Sequence, residues 1–363
     1  MPRSLRIIAI GIGSLIVIVL ILPSLGQNVT AADCTTLPVS QYKAVNFIDN
    51  RLMAIEARDW LSFATPSMYD RLNEIESTGL NAIRVPVFWE AYIVNPTAFV
   101  SGLEEISTTA DQLGICVVYD FHQSHTGSHF DYWAGGFPSF LTGSYSADRN
   151  GELAFWANYY DNNISYEGIK IWDLHFNFIR DVIIKHVDSR PSTAGYEILN
   201  EPAVNDCNQF AKLGDVHTYI GNKIRSVTLR PIYFDRAENQ SCPHWNYEPY
   251  DILVVPRDVS NIVFAPHIYI TGLPTTVTYL ISLSQKWQAG IPIFIGEWGQ
   301  HPPNDVVTQD VVNNYLRAFR STNVGWAYYS WDPIFSFAIK DQSYQDTIYK
   351  AYLQNGIKSF YGN

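Results

Sequence analysis

Tyr196-Glu197-Ile198-Leu199-Asn200-Glu201-Pro202 sets a carboxylate directly behind an apolar run, and Phe294-Ile295-Gly296-Glu297-Trp298-Gly299 repeats the arrangement later in the chain. Both runs have the near-continuous apolar character of strands buried on two faces. A glutamate at the end of such a strand is costly to bury unless it is paired or used. For one glutamate alone, an ion pair with Arg84 at the mouth of the fold explains the position equally well. Two of them, on different strands, point to chemistry.

Working outward, runs of the same kind cover Ala44–Ile48, Ala82–Phe88, Ile115–Phe121, Gly195–Leu199, Pro231–Asp235, Ile262–Tyr269, Ile291–Ile295 and Gly325–Trp331. Helical patterns lie between them, among them Ser67–Thr78, Gly168–His186, Gln209–Val227, Val277–Ala289 and Val306–Ser321. Pro66 precedes the first helix and Gly79 follows it as a stop. Strand–helix alternation repeated eight times predicts an α/β fold, a single (β/α)8 TIM barrel over residues 34–363. No Gly-x-Gly-x-x-Gly follows the first strand, which counts against a dinucleotide fold. His122 to Tyr166 is too long for an ordinary loop after strand 3. Its aromatics suggest a folded flap over a groove.

Barrel active sites form at the C-terminal ends of the strands. The polar residues there are Arg84, His122, Asn200, Glu201, His267, Tyr269, Glu297 and Trp331, with Asn46 and Asp235 as weaker candidates. Glycoside hydrolysis needs a carboxyl pair whose environments split their pKa values, one kept protonated and the other ionised. Arg84 and the Tyr269 hydroxyl are expected to support Glu297 as the ionised member. Glu201, in a more apolar setting among negative neighbours, is expected to titrate high.

Taken in order, Ile83-Arg84-Val85-Pro86, Tyr119-Asp120-Phe121-His122, Asn200-Glu201-Pro202, His267-Ile268-Tyr269, Gly296-Glu297 and Trp331 resemble glycoside hydrolase family 5, the cellulase-like group of retaining barrels. The resemblance spans roughly residues 42–340 and implies roles. Glu201 would be the acid/base and Glu297 the nucleophile. Asn200 would bind the sugar 2-hydroxyl, while Arg84 and Tyr269 would support the nucleophile. His122 and His267 would bind hydroxyls or orient the acid, and Trp331 would floor a sugar subsite, with Trp89 and Trp298 as further stacking faces. No cofactor and no metal is implied. The expected reaction is retaining hydrolysis of a β-linked polysaccharide or oligosaccharide, foremost as an endo-β-1,4-glucanase. Endo-β-mannanase and endoglycoceramidase-like cleavage of a glycolipid are the alternatives. The segment from His122 to Tyr166 departs from the cellulase pattern.

Three other readings compete. His122, His125 and His129 have a spacing that suits metal ligands and a metal-dependent hydrolase. A glycan-binding barrel without catalysis would be expected to lack one of the glutamates, and both are present. A transglycosylase would share every residue named.

The remaining signals bear on place rather than chemistry. Arg3 and Arg6 precede an apolar run from Ile7 to Leu22, so residues 1–33 read as a signal peptide or membrane anchor, with the barrel extracellular or at the cell surface. The chain would then touch a membrane only through that segment. Asn28, Asn163 and Asn239 head glycosylation sequons. Of the 4 cysteines, Cys116 sits in an apolar strand and reads as a buried thiol, whereas Cys207 and Cys242 lie in polar sequence and make the expected disulfide. A formal net charge of −11 without a basic stripe excludes nucleic acid as a natural partner.

Overall fold

Eight parallel strands follow one another around a ring: β1 Lys43–Asn46, β2 Ala82–Val87, β3 Cys116–Phe121, β4 Thr193–Glu197, β5 Ile232–Phe234, β6 Ile262–Phe264, β7 Phe294–Trp298 and β8 Gly325–Tyr328. Neighbours pair in sequence order from β1 to β6, and β8 joins β1 to β7. The ring closes between β6 and β7. Phe264 bridges Ile293, and beyond Ala265-Pro266 the short strand His267–Ile268 pairs with Glu297 and Trp298. Pro266 has no N–H for the ladder, so the expected single run Ile262–Tyr269 is split there. Its carbonyl accepts from the Gly296 N–H at 3.2 Å and keeps the seam shut.

The computed structural model describes residues 34–53, 66–131, 135–204, 208–239, 252–269, 274–288, 290–299, 307–334 and 338–362. The apolar run at 7–22 and the pairing of Cys207 with Cys242 lie outside the described residues. Among the described residues no helix is long and apolar enough to cross a membrane.

Strand residues alternate in direction except where the register shifts. In β2, Ala82 and Arg84 point into the barrel, and Ile83, Val85 and Val87 pack outward under the helices. The barrel interior is filled low down by Ala44, Ala82, Cys116, Val118, Ala194, Tyr233, Val263, Phe294 and Ala327. Small residues alternate with rings, as a closed eight-strand barrel requires. Helices cover the outside. Met68–Ser77 begins where Ser67 accepts from the Asp70 N–H, and Pro96–Leu113 ends at Gly114 with φ +69. The expected helix Gly168–His186 is present as Ile171–Phe178, a π-helical stretch Ile179–Ile184 and Lys185–Val187. Its first residues instead form the hairpin Ser165–Tyr166 with Ile169–Lys170.

The segment after β3 is a packed insertion. Helix Arg149–Tyr160 buries Phe155, Trp156, Tyr159 and Tyr160. Phe137 lies 5.2 Å from Phe155 and 5.4 Å from Tyr159, ring centre to ring centre. These aromatics therefore pack into the main core, Phe137 also lying 5.4 Å from Phe121 of β3. Asn163 is exposed at the turn before the hairpin.

Cys116 is not a thiol. It is disulfide-bonded to Cys34, with Cα atoms 5.5 Å apart. A buried strand cysteine and a bonded one look alike in sequence, because both are apolar surroundings for sulfur. Tyr42 donates its hydroxyl to the Cys34 carbonyl, and the Cys34 N–H reaches Pro191 O. The bridge thus seals the end of the barrel opposite the strand C-termini. Its two half-cystines are 82 residues apart. Replacing both by serine should lower unfolding free energy by about 3–5 kcal/mol. Guanidinium titration checks this, and specific activity of the folded variant should be unchanged because the chemistry lies at the far end.

Candidate active site

One inward polar residue from almost every strand meets at the C-terminal end of the barrel: Asn46, Arg84, Asp120, Glu197, Asp235, His267 and Glu297. Arg84 is fully buried at the centre. Its Nε and Nη2 donate to the two Glu197 oxygens at 2.7 and 3.0 Å, and Nη1 donates to Glu297 Oε1 at 2.8 Å. Asn46 Oδ1 and Asn200 Oδ1 accept from it at 2.9 and 2.8 Å, and Asp120 Oδ2 lies 3.0 Å away. Guanidinium is the group for this place: planar, always charged and able to donate in several directions. The three carboxylates raise its pKa further against the cost of burial.

Glu297 is brought inward by an irregularity. Phe294 faces the interior and Ile295 the helices, so plain alternation would send Glu297 outward. The register between β7 and β8 shifts between Ile295 and Trp298. That extra residue turns Glu297 in and leaves Trp298 out, the usual service of a β-bulge. Gly296 is needed there because a Cβ would come within 2.9 Å of His267 Nε2. Once turned in, Glu297 has both oxygens held, Oε1 by Arg84 and Oε2 by the Tyr269 hydroxyl at 2.6 Å.

Glu201 leaves β4 in a left-handed backbone conformation, φ +38, which a non-glycine residue adopts only under constraint. Gln123 Nε2 donates to the carbonyls of Asn200 and Glu201 at 2.9 and 2.8 Å, and the Glu201 N–H donates to Asp235 Oδ2 at 3.1 Å. The side chain is 29% exposed and meets His267 Nδ1 at 2.7 Å. Burial raises its pKa. Burial likewise pushes Glu197 and Asp120 up to about 7, Arg84 opposing in both cases. Desolvation brings His122 down to about 4 and His267 to about 3, so both imidazoles are neutral near pH 7. His122 Nδ1 lies 2.5 Å from Asp120 Oδ2, and its Nε2 is 3.5 Å from Asn200 Nδ2.

Seven of the expected residues therefore converge: Arg84, His122, Asn200, Glu201, His267, Tyr269 and Glu297. The tryptophans do not. Trp331 is wholly buried beneath Lys340, whose Nζ is 5.6 Å from the indole. Trp89 stacks on Phe178 at 5.1 Å, and Trp298 packs among Tyr315, Phe319, Trp326 and Tyr328. All three fill the core. Besides Tyr269, the aromatic that feels the carboxylates is Tyr329, before a cis peptide to Ser330; burial, and then Glu297 and Glu201, raise its hydroxyl pKa. Sequence held two adjacent tyrosines and a tryptophan here, and inward or outward direction is invisible without the strand register. Glu197, which carried no assignment in the sequence, and Asp235, a weaker candidate there, also belong to this cluster.

The histidine trio is not brought together. His122 engages Asp120, His129 Nε2 lies 2.8 Å from Tyr145 O, and His125 is exposed. Carboxylates do approach His267 in two groups, Glu197–Asp235 and Glu201–Glu297. Arg84 already occupies the cation's place beside Glu197 and Glu297, and a second cation there would be repelled.

Removing Arg84 leaves buried carboxylates without their counter-charge. Arg84→Met should destabilise the fold by about 3–5 kcal/mol. Arg84→Lys keeps one charge but loses the fork, so urea midpoints should fall for both and further for Met.

Comparison with known proteins agrees with this architecture. Cellulase, glycosyl hydrolase family 5, matches residues 41–334. No curated protein matches the sequence significantly. Among solved structures, an endogalactoceramidase is similar at TM-score 0.66 and 17% identity, over 86% of this chain and 80% of that one. Endo-glycoceramidase II from Rhodococcus sp., in complex with a five-membered iminocyclitol, gives 0.65 and 15%, over 86% and 78%. A broad-specificity endoglucanase from Clostridum cellulovorans gives 0.60 and 15%, over 89% and 95%. At such identities these structures speak to the fold, and the family match carries the classification: the chain belongs to glycosyl hydrolase family 5 and is a glycoside hydrolase.

Proposed function

We propose that the chain cleaves a β-linked glycan by double displacement with retention, Glu297 attacking and Glu201 serving as acid/base. The observation that carries this is the spacing of the pair: an oxygen of Glu201 lies within 4.8 Å of one of Glu297. Retaining enzymes hold their carboxyls about 5–5.5 Å apart, whereas inverting ones need about 6.5–9.5 Å to admit water. Glu297, gripped by Arg84 and Tyr269, is oriented to form a bond to the anomeric carbon. Glu201 is the exposed member with the raised pKa, suited to hand its proton to the departing oxygen. It then takes a proton from the water that attacks the glycosyl-enzyme. Asn200 and His122 lie beside the pair, placed to meet sugar hydroxyls.

Within this class the proposed substrate is a β-1,4-glucan cut internally. The likeness to an endoglucanase over 89% of this chain and 95% of that one supports it. A second reading, cleavage of a glycolipid, is favoured by an observation of its own. Ile93, Val94, Tyr166 and Ile169 are 48, 52, 40 and 42% exposed. They sit in segments that follow β2 and β3, on the active-site side of the barrel, where a lipid tail would need apolar surface. The similar endo-glycoceramidase II was also solved in complex with ganglioside GM3. Export from the cytoplasm belongs to the proposal, supported by the basic-flanked apolar run at 7–22 and the Cys34–Cys116 bridge. Recovery of the native protein only from cytosol would overturn that part.

Carboxymethyl cellulose, mixed-linkage glucan, galactomannan and a micellar glycosphingolipid, offered to wild type and Glu297→Ala, test the reading. Wild type should cleave one of them with the β-anomer released first by NMR, and Glu297→Ala should be inert. Release of the α-anomer would sink the retaining mechanism. The pH profile gives a second check. The acid must stay protonated, so activity should fall as pH rises through the Glu201 pKa, and that limb should lie above the ordinary Glu value of about 4.3.

A further inference from the structure

Behind Glu201 lies a buried group that the double displacement does not itself use. Asp235 follows β5 and is 1% exposed. Its Oδ2 accepts from the Glu201 N–H at 3.1 Å and its Oδ1 from the Arg236 N–H at 2.7 Å. The same Oδ2 faces His267 Nε2 at 3.7 Å. That nitrogen is buried and has no hydrogen-bond partner among the described residues. The other ring nitrogen, Nδ1, is the one that meets Glu201 Oε1 at 2.7 Å. Gly296 keeps the slot open for the ring, and Arg236 Nη2 donates to the His267 carbonyl at 2.6 Å.

We propose that Asp235 is a positioning residue for the acid/base: by donating to His267 Nε2 it fixes the imidazole as an Nδ1–H donor to Glu201 Oε1, and so keeps the transferable proton on Oε2. The inference rests on Glu201 being the acid/base. A shift of less than about 1 Å brings Oδ2 and Nε2 to hydrogen-bond length. In this arrangement His267 never changes tautomer. Glu201 Oε1 accepts from Nδ1–H throughout, as a carbonyl oxygen when the acid is loaded and as a carboxylate oxygen after transfer. One proton leaves Oε2 for the departing oxygen and one returns to Oε2 from water.

The protonation states required follow from the surroundings. Asp120, Glu197, Glu201 and Glu297 face this space from β3, β4 and β7, against Arg84 and Arg236. Burial and the neighbouring Glu197 and Glu201 push the Asp235 pKa well up, so it carries a proton to donate. Desolvation keeps His267 neutral, so it has one nitrogen free to accept.

Asp235→Asn and Asp235→Ala test this on two glycosides of the accepted sugar, a dinitrophenyl one that needs no acid and an alkyl one that does. Asparagine keeps a donor for Nε2 but loses the acceptor for the Glu201 N–H, so on the alkyl glycoside it should lose less than alanine does. Alanine should lose roughly tenfold or more on the alkyl glycoside and little on the dinitrophenyl one, a fraction of the 10²–10⁴ that general acid catalysis supplies. Its basic pH limb should rise, because an Nδ1 lone pair facing Glu201 disfavours the carboxylate. Equal losses on both glycosides, or an alanine variant with an unmoved limb, would overturn the proposal. Glu201→Ala is the control. If it too ignores the leaving group, the acid/base assignment has failed rather than the role of Asp235. Circular dichroism melts separate either outcome from loss of fold.

Discussion

The guanidinium of Arg84 is the constraint around which this barrel end is organised. It draws acceptors on or just after β1, β3, β4 and β7 onto one buried charge. Without it, Asp120, Glu197 and Glu297 would repel one another in a low-dielectric interior, where each buried ion costs several kcal/mol. With it, a rigid planar group ties Glu197 of β4 to Glu297 of β7. The proposed carboxyl pair therefore stands next to an ion pair that links the same two strands. The alternative first read for Arg84, a structural partner for buried acid, and its functional reading describe one and the same set of bonds.

Much of this was legible because parallel strands covered by helices advertise themselves as apolar runs. All eight runs are strands, although β7 begins at Phe294 rather than Ile291 and β6 is interrupted at Pro266. The convergence of Arg84, His122, Asn200, Glu201, His267, Tyr269 and Glu297 was legible for a related reason. Apart from Arg84, which lies inside β2, each is a polar residue at or just beyond the end of an apolar strand. Direction was not legible. Trp331 and Tyr329 are two positions apart and both lie past the end of β8, so period-two alternation does not separate them. Cys116 failed on the same ground, since its partner Cys34 is remote in sequence.

Labour is divided along the barrel axis. The Cys34–Cys116 bridge, Tyr42 and the small-residue interior secure the lower end, whereas titratable groups crowd the upper one. The insertion after β3 packs its aromatics onto that strand, Phe137 against Phe121, and so is tied to the barrel beneath it. Gln123 and Asp235 then hold Glu201 in a backbone conformation it would not choose. Such strain persists only where neighbours over-determine it.

The bulge in β7 gives that strand a fixed parity. Counting from Phe294, one surplus residue decides whether Glu297 or Trp298 looks into the barrel. Straightening the bulge while keeping its surplus residue would exchange a nucleophile candidate for an indole in a single step. Point substitutions can tune such a site gradually, but ironing out the bulge cannot be a small change. The bulge and its surplus residue have to be kept or lost together in this strand.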